Sequence, residues 1–282
     1  MSLEKRLLGN FVPLVRASHI QPTLAVTAIT TALAVSVGRG AGSVWVLLAV
    51  LSGQLSVGWS NDYLDRARDA RSHRIDKPIV AQQVGASLVG ACALVAVVIC
   101  IPLSMFSGWR AGTVHLVAVS LAWVYNIKLK STSASVVPYL FAFGLLPAFV
   151  TLGLAGHPWP HPWAMIAATF LGIGAHFVNV LPDLDADRAT GVYGMPHRLG
   201  FMTSLVLGAL FIAASTAVIA MSASGSTNGF RISLLSLAIV GAVVICVAGL
   251  SRHHRAAWTL TLCLAGASVI ALIVNGSSIV NT

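Results

Sequence analysis

The chain has 282 residues, of which 57% are hydrophobic and only 9% are charged, and its mean hydropathy is +0.86. These values exclude an ordinary soluble domain and are typical of a protein that crosses the membrane many times. The net charge of +9 does not indicate nucleic-acid binding, because the basic residues are spread over short loops. An anionic substrate or anionic lipid headgroups account for the excess better.

Nine apolar stretches are long enough to cross the lipid bilayer, which takes about 20 helical residues. They cover residues 18–37, 43–60, 84–106, 111–127, 133–155, 162–182, 202–222, 231–251 and 256–279. The connections between them leave no room for a soluble domain. The sequence therefore predicts one all-α domain over residues 1–282, a polytopic membrane helical bundle. The four cysteines lie inside these stretches without metal-ligand spacing and indicate no disulfides.

Charge predicts how this bundle lies in the membrane. The basic residues concentrate in the N-terminal tail and in segments that nine spans would place on one side, residues 61–83, 128–132, 183–201 and 252–255. The positive-inside rule then puts the N-terminus in the cytoplasm and the C-terminus outside. All eight acidic residues fall on that same side. Because acidic residues contribute little to topology, their segregation indicates a chemical role.

Two segments repeat the pattern Asn-x-x-x-Asp-x-x-x-Asp, each where an apolar stretch ends. The pattern consists of Asn61, Asp65 and Asp69 in the first segment and of Asn179, Asp183 and Asp187 in the second. Residues four apart lie on one face of a helix, so each segment can aim an amide and two carboxylates in one direction. Clustered carboxylates need a hard cation with oxygen ligands, and Mg²⁺ suits them best. Two such clusters facing each other suit a bridged diphosphate.

The surroundings of the two patterns are also alike. Each is followed by a polar segment with an arginine and a proline, which predicts two pseudo-repeated halves, about residues 1–132 and 133–282. We expect the polar segments 61–83 and 183–201 to be loops that together cap a membrane cavity. Asp62 lies off the shared helical face and is a weaker ligand candidate, as is Asp185.

Both patterns resemble signatures of the UbiA superfamily of intramembrane prenyltransferases. Residues 61–69 resemble the first signature and residues 183–191 the second, and the sequences RIDKP, PYLFAFGLLPA and HRLG are similar to segments that accompany them. Tyr125, Lys128 and Lys130 occupy the position of the family's Tyr-and-Lys loop. The resemblance covers nearly the whole chain.

This resemblance implies a helical bundle that binds a prenyl diphosphate, with Mg²⁺ between the two Asp-rich segments and the isoprenoid tail in a membrane cavity. The metal ligands it implies are Asn61, Asp65, Asp69, Asp183 and Asp187. The cations expected to contact the diphosphate are Arg74, Lys77, Lys128, Lys130 and Arg188. Of these, Lys128 joins the four aspartates as a catalytic candidate. Each basic residue also has a plainer reading, as a determinant of topology or a contact to lipid headgroups.

The other substrate contacts lie near the ends of predicted spans. Arg16 and His19 open the first span, within reach of the cytoplasmic end of a cavity. His176 stands one turn before Asn179, where it serves either the acceptor or an interhelical hydrogen bond, since a polar group inside a membrane faces protein or a cavity. Tyr125 stabilises a carbocation through its ring face or belongs to the aromatic belt of the membrane interface.

Several activities remain open at this point. One is an intermolecular prenyltransferase with an aromatic, quinone-precursor or lipid acceptor. Another is a UbiA-type terpene cyclase without a second substrate, or a relative that transfers a phosphoribosyl group. A transporter would place its acidic residues near the middle of the bilayer. Here the acids gather at one interface, which favours an enzyme.

Overall fold

A computed structural model describes residues 11–222 and 227–280, and its secondary structure is helical throughout that part of the chain. Part of the N-terminal tail used to predict orientation, residues 1–10, lies outside the described residues. The helices are α1 (Ile20–Ser36), α2 (Gly42–Arg71), α3 (Ala86–Met105), α4 (Trp109–Ile127), α5 (Val136–Gly144), α6 (Leu146–Thr151), α7 (Pro162–Val180), α8 (Leu184–Ala189), α9 (Met195–Leu199), α10 (Phe201–Ser222), α11 (Asn228–Leu250) and α12 (His254–Val274). Short 3₁₀ turns occupy Leu129–Ser131, Leu181–Asp183 and Gly276–Ser278.

The long helices form a closed ring. Each packs against its neighbour in chain order from α1 to α5, then α5 packs on α7, α7 on α10, α10 on α11 and α11 on α12, and α12 returns to α1. A buried apolar cluster draws residues from both halves of this ring, including Val50, Phe149 and Ile219. The ring thus encloses space that the helices of both halves can line.

Six helices in the described residues are long and apolar enough to cross a membrane. They are α2, α3, α10, α11, α12 and the stretch Pro162–Ala189, which contains α7. The other three predicted spans correspond to the 17-residue α1, to α4, and to α5 with α6. The chain breaks between α5 and α6, where Pro147 cannot donate a helical hydrogen bond. The count of nine spans therefore stays a prediction.

The first Asp-rich segment is not the loop that the sequence predicted. Helix α2 continues through it to Arg71, and the pair that Arg68 forms with Asp65, three residues earlier, supports its last turns. The helix ends only where His73 takes a left-handed conformation (φ 53°). The second segment differs: Pro182 follows α7, and the chain continues as a 3₁₀ turn and the short helices α8 and α9.

Gly58 lets the start of the chain approach α2 closely. A Cβ at Gly58 would lie 2.0 Å from the backbone oxygen of Ser18, so only glycine allows this contact. Ser18 is fully buried there, and the next residue, His19, adopts a left-handed conformation (φ 53°) before α1 begins. The close contact fixes His19 beside the polar end of α2.

Candidate active site

Both Asp-rich segments open into one polar cavity of about 470 Å³ at a single end of the bundle. Its lining includes four carboxylates of the two patterns, Asp65, Asp69, Asp183 and Asp187, together with the amide of Asn61. Its basic and imidazole side chains are Arg16, His19, Arg68, Arg74, Lys77, Lys130 and His197. The structure therefore brings residues of both segments to the lining of one cavity.

A second cavity of about 360 Å³ continues from the first into the apolar interior. The residues that line both cavities are His19, Pro22, Asn61, Tyr125, Val180, Asp183 and Asp187. Along α2 the apolar cavity extends from Asn61 to Val50, a distance of about 16 Å at the helical rise of 1.5 Å per residue. A polar compartment thus joins a narrow apolar one at a ring of shared residues.

Asp65 is held by two cations of the chain. Its Oδ2 accepts a hydrogen bond from Arg68 Nη2 (2.7 Å), and its Oδ1 accepts one from Lys130 Nζ. The same guanidinium lies 3.7 Å from Asp69 Oδ1. Asp65 is only 7% exposed, and an unpaired carboxylate would be costly there. Burial lowers the pKa of the Lys130 ammonium, and the neighbouring Asp65 opposes that shift.

Asn61 is positioned by a second asparagine, Asn126 on α4. Asn61 Nδ2 donates to Asn126 Oδ1 (3.2 Å), while Asn126 Nδ2 donates to the backbone oxygen of Val57 and to Ser60 Oγ, both at 2.9 Å. This arrangement uses the amide nitrogen of Asn61 and leaves its carbonyl oxygen as the group that can bind a cation.

Asp62 lies outside the polar cavity and organises two residues that line it. The carboxylate, only 3% exposed, accepts hydrogen bonds from His19 Nε2 (2.8 Å) and from Lys77 Nζ (2.7 Å). His19 and Lys77 come from two different segments of the chain. Asp62 therefore joins the start of α1 and the segment after α2 to the wall of the cavity.

The second Asp-rich segment is more open. Asp187 Oδ2 accepts a hydrogen bond from the buried His197 Nε2 (3.2 Å). Asp183 is exposed and has no ion-pair partner within the described residues. Asp185 is 98% exposed and lies 4.0 Å from Arg188, so it points to solvent as its position off the shared face predicted.

The segment between α2 and α3 closes one side of the polar cavity. Arg74 forms two hydrogen bonds with the Asp76 carboxylate (3.2 and 3.1 Å), which raise the pKa of the guanidinium and lower the pKa of the carboxyl group. Arg16 donates to the backbone oxygen of Asp76 (3.1 Å) and to Gln83 Oε1 (3.3 Å). The Arg74–Asp76 pair thus braces this segment internally, and Arg16 ties the segment to the start of the chain at the cavity rim.

Gly194 brings the Lys130 turn and the second Asp-rich segment together. A Cβ at Gly194 would lie 2.6 Å from the backbone oxygen of Lys130 and 3.0 Å from Ser135 Oγ. The distance to the Lys130 oxygen is too short for a real Cβ atom and the distance to Ser135 Oγ is tight, so this contact requires glycine. The Lys130 backbone is thereby fixed against the segment that carries His197.

The structure does not bring three of the expected site residues to the cavities. Lys128 is exposed at the end of α4, and only Lys130, two residues later, lines the polar cavity. Arg188 donates to the backbone oxygen of His197 through Nε (2.9 Å) and Nη2, which ties α8 to α9. His176 Nε2 bonds Ser135 Oγ (3.0 Å), and that oxygen accepts the backbone N–H of Met195 (2.8 Å). His176 therefore makes an interhelical hydrogen bond.

The donor set fits Mg²⁺ in its chemistry, since the cavity gathers carboxylate and amide oxygens. Within the described part of the chain, however, no group of three or more His, Cys, Asp or Glu side chains is arranged to hold an ion by itself. Mg²⁺ is commonly bound by one or two carboxylates together with substrate phosphates. The arrangement therefore fits a metal ion whose coordination an anionic ligand completes.

Four polar residues of this region were not selected from the sequence as site residues: Asp62, Arg68, Asn126 and His197. The spacing rule excluded Asp62, because it considered only the face shared with Asp65. Asn126 follows Tyr125 in a predicted span. A polar amide inside an apolar stretch could have indicated a residue that faces a cavity or another helix. The role of His197 depends on the turn that Gly194 allows, which the sequence pattern does not show.

Comparison with known proteins agrees with this geometry. Residues 22–269 match the UbiA prenyltransferase family. No curated protein sequence was found to match. A UbiA homologue from Aeropyrum pernix K1 is 18% identical with a TM-score of 0.66, covering 88% of this chain and 98% of its own. A UbiA homologue from Archaeoglobus fulgidus, bound to GPP and Mg²⁺, is 14% identical with a TM-score of 0.64. The match covers 92% of this chain and 99% of the homologue.

A structure described for digeranylgeranylglyceryl phosphate synthase is also similar, with 12% identity, a TM-score of 0.66, and coverage of 95% of this chain and 99% of that one. At these identities the solved structures establish the fold, while the family match covers most of the sequence. Together with the six apolar helices, it identifies an integral, multi-pass membrane enzyme. The chain belongs to the UbiA prenyltransferase family.

Proposed function

We propose that this protein transfers an isoprenoid from a prenyl diphosphate to a separate hydrophobic acceptor in a Mg²⁺-dependent reaction. One observation carries the proposal: the polar cavity, lined by carboxylates from both Asp-rich segments, opens directly into the apolar cavity. A prenyl diphosphate has the same two parts, a highly charged head and an apolar tail. The head fits the polar compartment and the tail fits the other.

The residues that would hold Mg²⁺ are Asn61, Asp65, Asp69, Asp183 and Asp187. When bound, the metal would neutralise charge on the departing diphosphate. Lys130 and Arg74 line the same cavity and would donate to the same anion, where their positive charges stabilise the charge that develops as the C1–O bond breaks. Lys77 and Arg16 hold the cavity rim through Asp62 and Asp76.

The reacting carbon would then lie at the ring of residues shared by the two cavities. Tyr125, on α4, and His19, just before α1, both belong to that ring. The acceptor reaches C1 there, and an aromatic, quinone-precursor or lipid acceptor is consistent with an entrance among apolar helices. Lys128, which lies outside the cavities, serves as a topology determinant in this account.

We also propose the orientation and the internal symmetry expected from the sequence. The N-terminus and both Asp-rich segments face the cytoplasm, the C-terminus faces outward, and the halves are related by duplication. Reporter fusions after residue 282 should report the outer side, and insertions at the exposed Ser133 in the Lys130 turn should report the cytoplasm. Reporters on the same side at both positions would contradict the orientation.

The direct test of function is diphosphate release by the purified protein. Geranylgeranyl diphosphate is supplied with and without Mg²⁺, first alone and then with hydroxylated aromatic acceptors. The proposal predicts Mg²⁺-dependent release that an acceptor increases, with formation of a prenylated product. Release without any acceptor, together with a cyclic hydrocarbon, would replace transfer by cyclisation. No release under any of these conditions would contradict both.

A further inference from the structure

The two Asp-rich segments differ in how their carboxylates are neutralised. Lys130 and Arg68 contact one oxygen each of Asp65, and Arg68 also approaches Asp69. Across the cavity, Asp183 has no ion-pair partner among the described residues. The carboxylates of the first segment are thus already paired with cations of the chain itself.

A metal ion that binds Asp65 competes with these cations. Binding at Oδ1 displaces the Lys130 ammonium, whose side chain is only 12% exposed. A buried ammonium without a partner is costly, so the displacement opposes metal binding. A diphosphate in the same cavity changes this balance, because its oxygens offer Lys130 a new anionic partner.

Lys130 is better suited to such an exchange than Arg68. Arg68 is on the same helix as Asp65, three residues away, and both move together. Lys130 reaches Asp65 from the 3₁₀ turn after α4, where Gly194 fixes its backbone but its four-carbon side chain can rotate. Its ammonium can therefore move from carboxylate to phosphate without a change in the fold.

We propose that Lys130 couples metal binding to diphosphate binding: it holds Asp65 until a diphosphate accepts its ammonium, so that metal and diphosphate bind together. This inference rests on the proposed function, since it assumes that the cavity binds a metal diphosphate. The lack of any preassembled group of three ligands in the described residues agrees with it. Free metal ions would then bind the site only weakly.

The test separates binding of the free metal from binding of the metal–diphosphate complex in the purified full chain. Binding of Mn²⁺, a spectroscopic substitute for Mg²⁺, is measured by electron paramagnetic resonance without diphosphate. Binding of preformed Mg²⁺–diphosphate is measured by calorimetry. The variants are Lys130→Met, Lys130→Arg and the matched control Lys128→Met, which removes a charge from the same turn outside the cavity.

Lys130→Met should bind Mn²⁺ about tenfold tighter than the wild type and the metal–diphosphate complex about tenfold weaker, as expected for one charged hydrogen bond. Lys130→Arg and Lys128→Met should resemble the wild type in both measurements. If Lys130 served only the diphosphate, Lys130→Met would weaken binding of Mg²⁺–diphosphate and leave Mn²⁺ binding unchanged. If Lys130 had a purely structural role, Lys130→Met would weaken both. Either result would overturn the inference.

The result also separates this inference from the proposed function. If the wild type does not bind Mg²⁺–diphosphate at all, both are wrong. If it binds the complex but Lys130→Met binds Mn²⁺ no tighter than Lys128→Met, only the coupling by Lys130 is wrong. Should Lys130→Met fail to fold, Lys130→Gln removes the same charge with a polar side chain and gives the same comparison.

Discussion

The two Asp-rich segments have the same residue pattern but different structures. The first lies on the last turns of a continuous 30-residue helix, with buried carboxylates that are paired with Lys130 and Arg68. The second begins at Pro182, where α7 has ended, and its carboxylates lie on a 3₁₀ turn and a six-residue helix. The carboxylates of the first wall are buried and paired with cations, whereas in the second wall Asp183 is exposed and Asp187 is half-buried beside His197.

This difference shows that equal spacing does not produce equal roles. A proline after α7 removes a helical hydrogen bond and frees the chain to turn. The exposed Asp183 can adjust to a ligand, whereas Asp65 keeps its place through its partners.

The largest expected effect is on turnover. Asp65→Ala and Asp183→Ala should each lower diphosphate release from geranylgeranyl diphosphate by roughly a hundred- to a thousandfold, because each removes charge stabilisation at the leaving group. Their thermal stability should differ. Only Asp65→Ala leaves a largely buried cation, the Lys130 ammonium, without its ion-pair partner, so only this variant should unfold at a clearly lower temperature. Equal stability losses would contradict the contrast between the two walls.

Asp62→Ala should mainly destabilise the fold. The sequence pattern predicts a mild effect, since Asp62 is off the shared face, but the structure gives it two partners. Losing a buried carboxylate that holds Lys77 and His19 should cost about 3 kcal/mol of unfolding free energy. Chemical denaturation of Asp62→Ala and of the nearly isosteric Asp62→Asn measures this loss of unfolding free energy. An unfolding free energy equal to that of the wild type in both variants would contradict the role of Asp62 in holding Lys77 and His19.

Gly194→Ala tests whether the Lys130 turn must pack against the second segment. The added methyl group would meet the Lys130 backbone oxygen, and such overpacking costs about 1–3 kcal/mol. We expect lower stability and weaker binding of Mg²⁺–diphosphate, because Lys130 shifts. Gly266→Ala is the control, since a Cβ there would meet nothing within 4 Å. Equal behaviour of the two variants would argue against this packing.

The smallest effect is expected at Asp185. Its side chain is almost fully exposed, and its contact with Arg188 is long. Exposed pairs of this kind contribute little to stability. Asp185→Ala should therefore match the wild type in diphosphate release and in unfolding temperature. A loss of activity close to that of Asp183→Ala would show that the second segment binds its ligand through other residues than those facing the cavity.

The sequence predicted the meeting of the two segments because both follow apolar stretches and together carry seven of the eight acidic residues, Glu4 being the exception. It did not predict that α2 continues to Arg71, since polarity alone suggested a loop. The choice between Lys128 and Lys130 also needed the structure. They are two residues apart at a helix end, and the local turn decides which side chain enters the cavity.

The partners of Asp62 could not be found from spacing, because they come from distant parts of the chain. His19 and Lys77 reach it only after the start of α1 packs against Gly58 and the segment after α2 folds back. The count of nine spans stays a prediction. Helix α1 is short, and the stretch that holds α5 and α6 is both short and broken, so helix length and composition do not establish either as a membrane span.

The central claim is that one diphosphate is held between both Asp-rich segments. The most direct test is diphosphate release at saturating Mg²⁺ for the wild type, Asp65→Ala, Asp183→Ala and the double variant, with substrate binding measured in parallel. Ligands that act on one bound group are strongly non-additive, so the double variant should be scarcely slower than the slower single variant. Two independent sites would give effects that multiply, and that result would contradict the account.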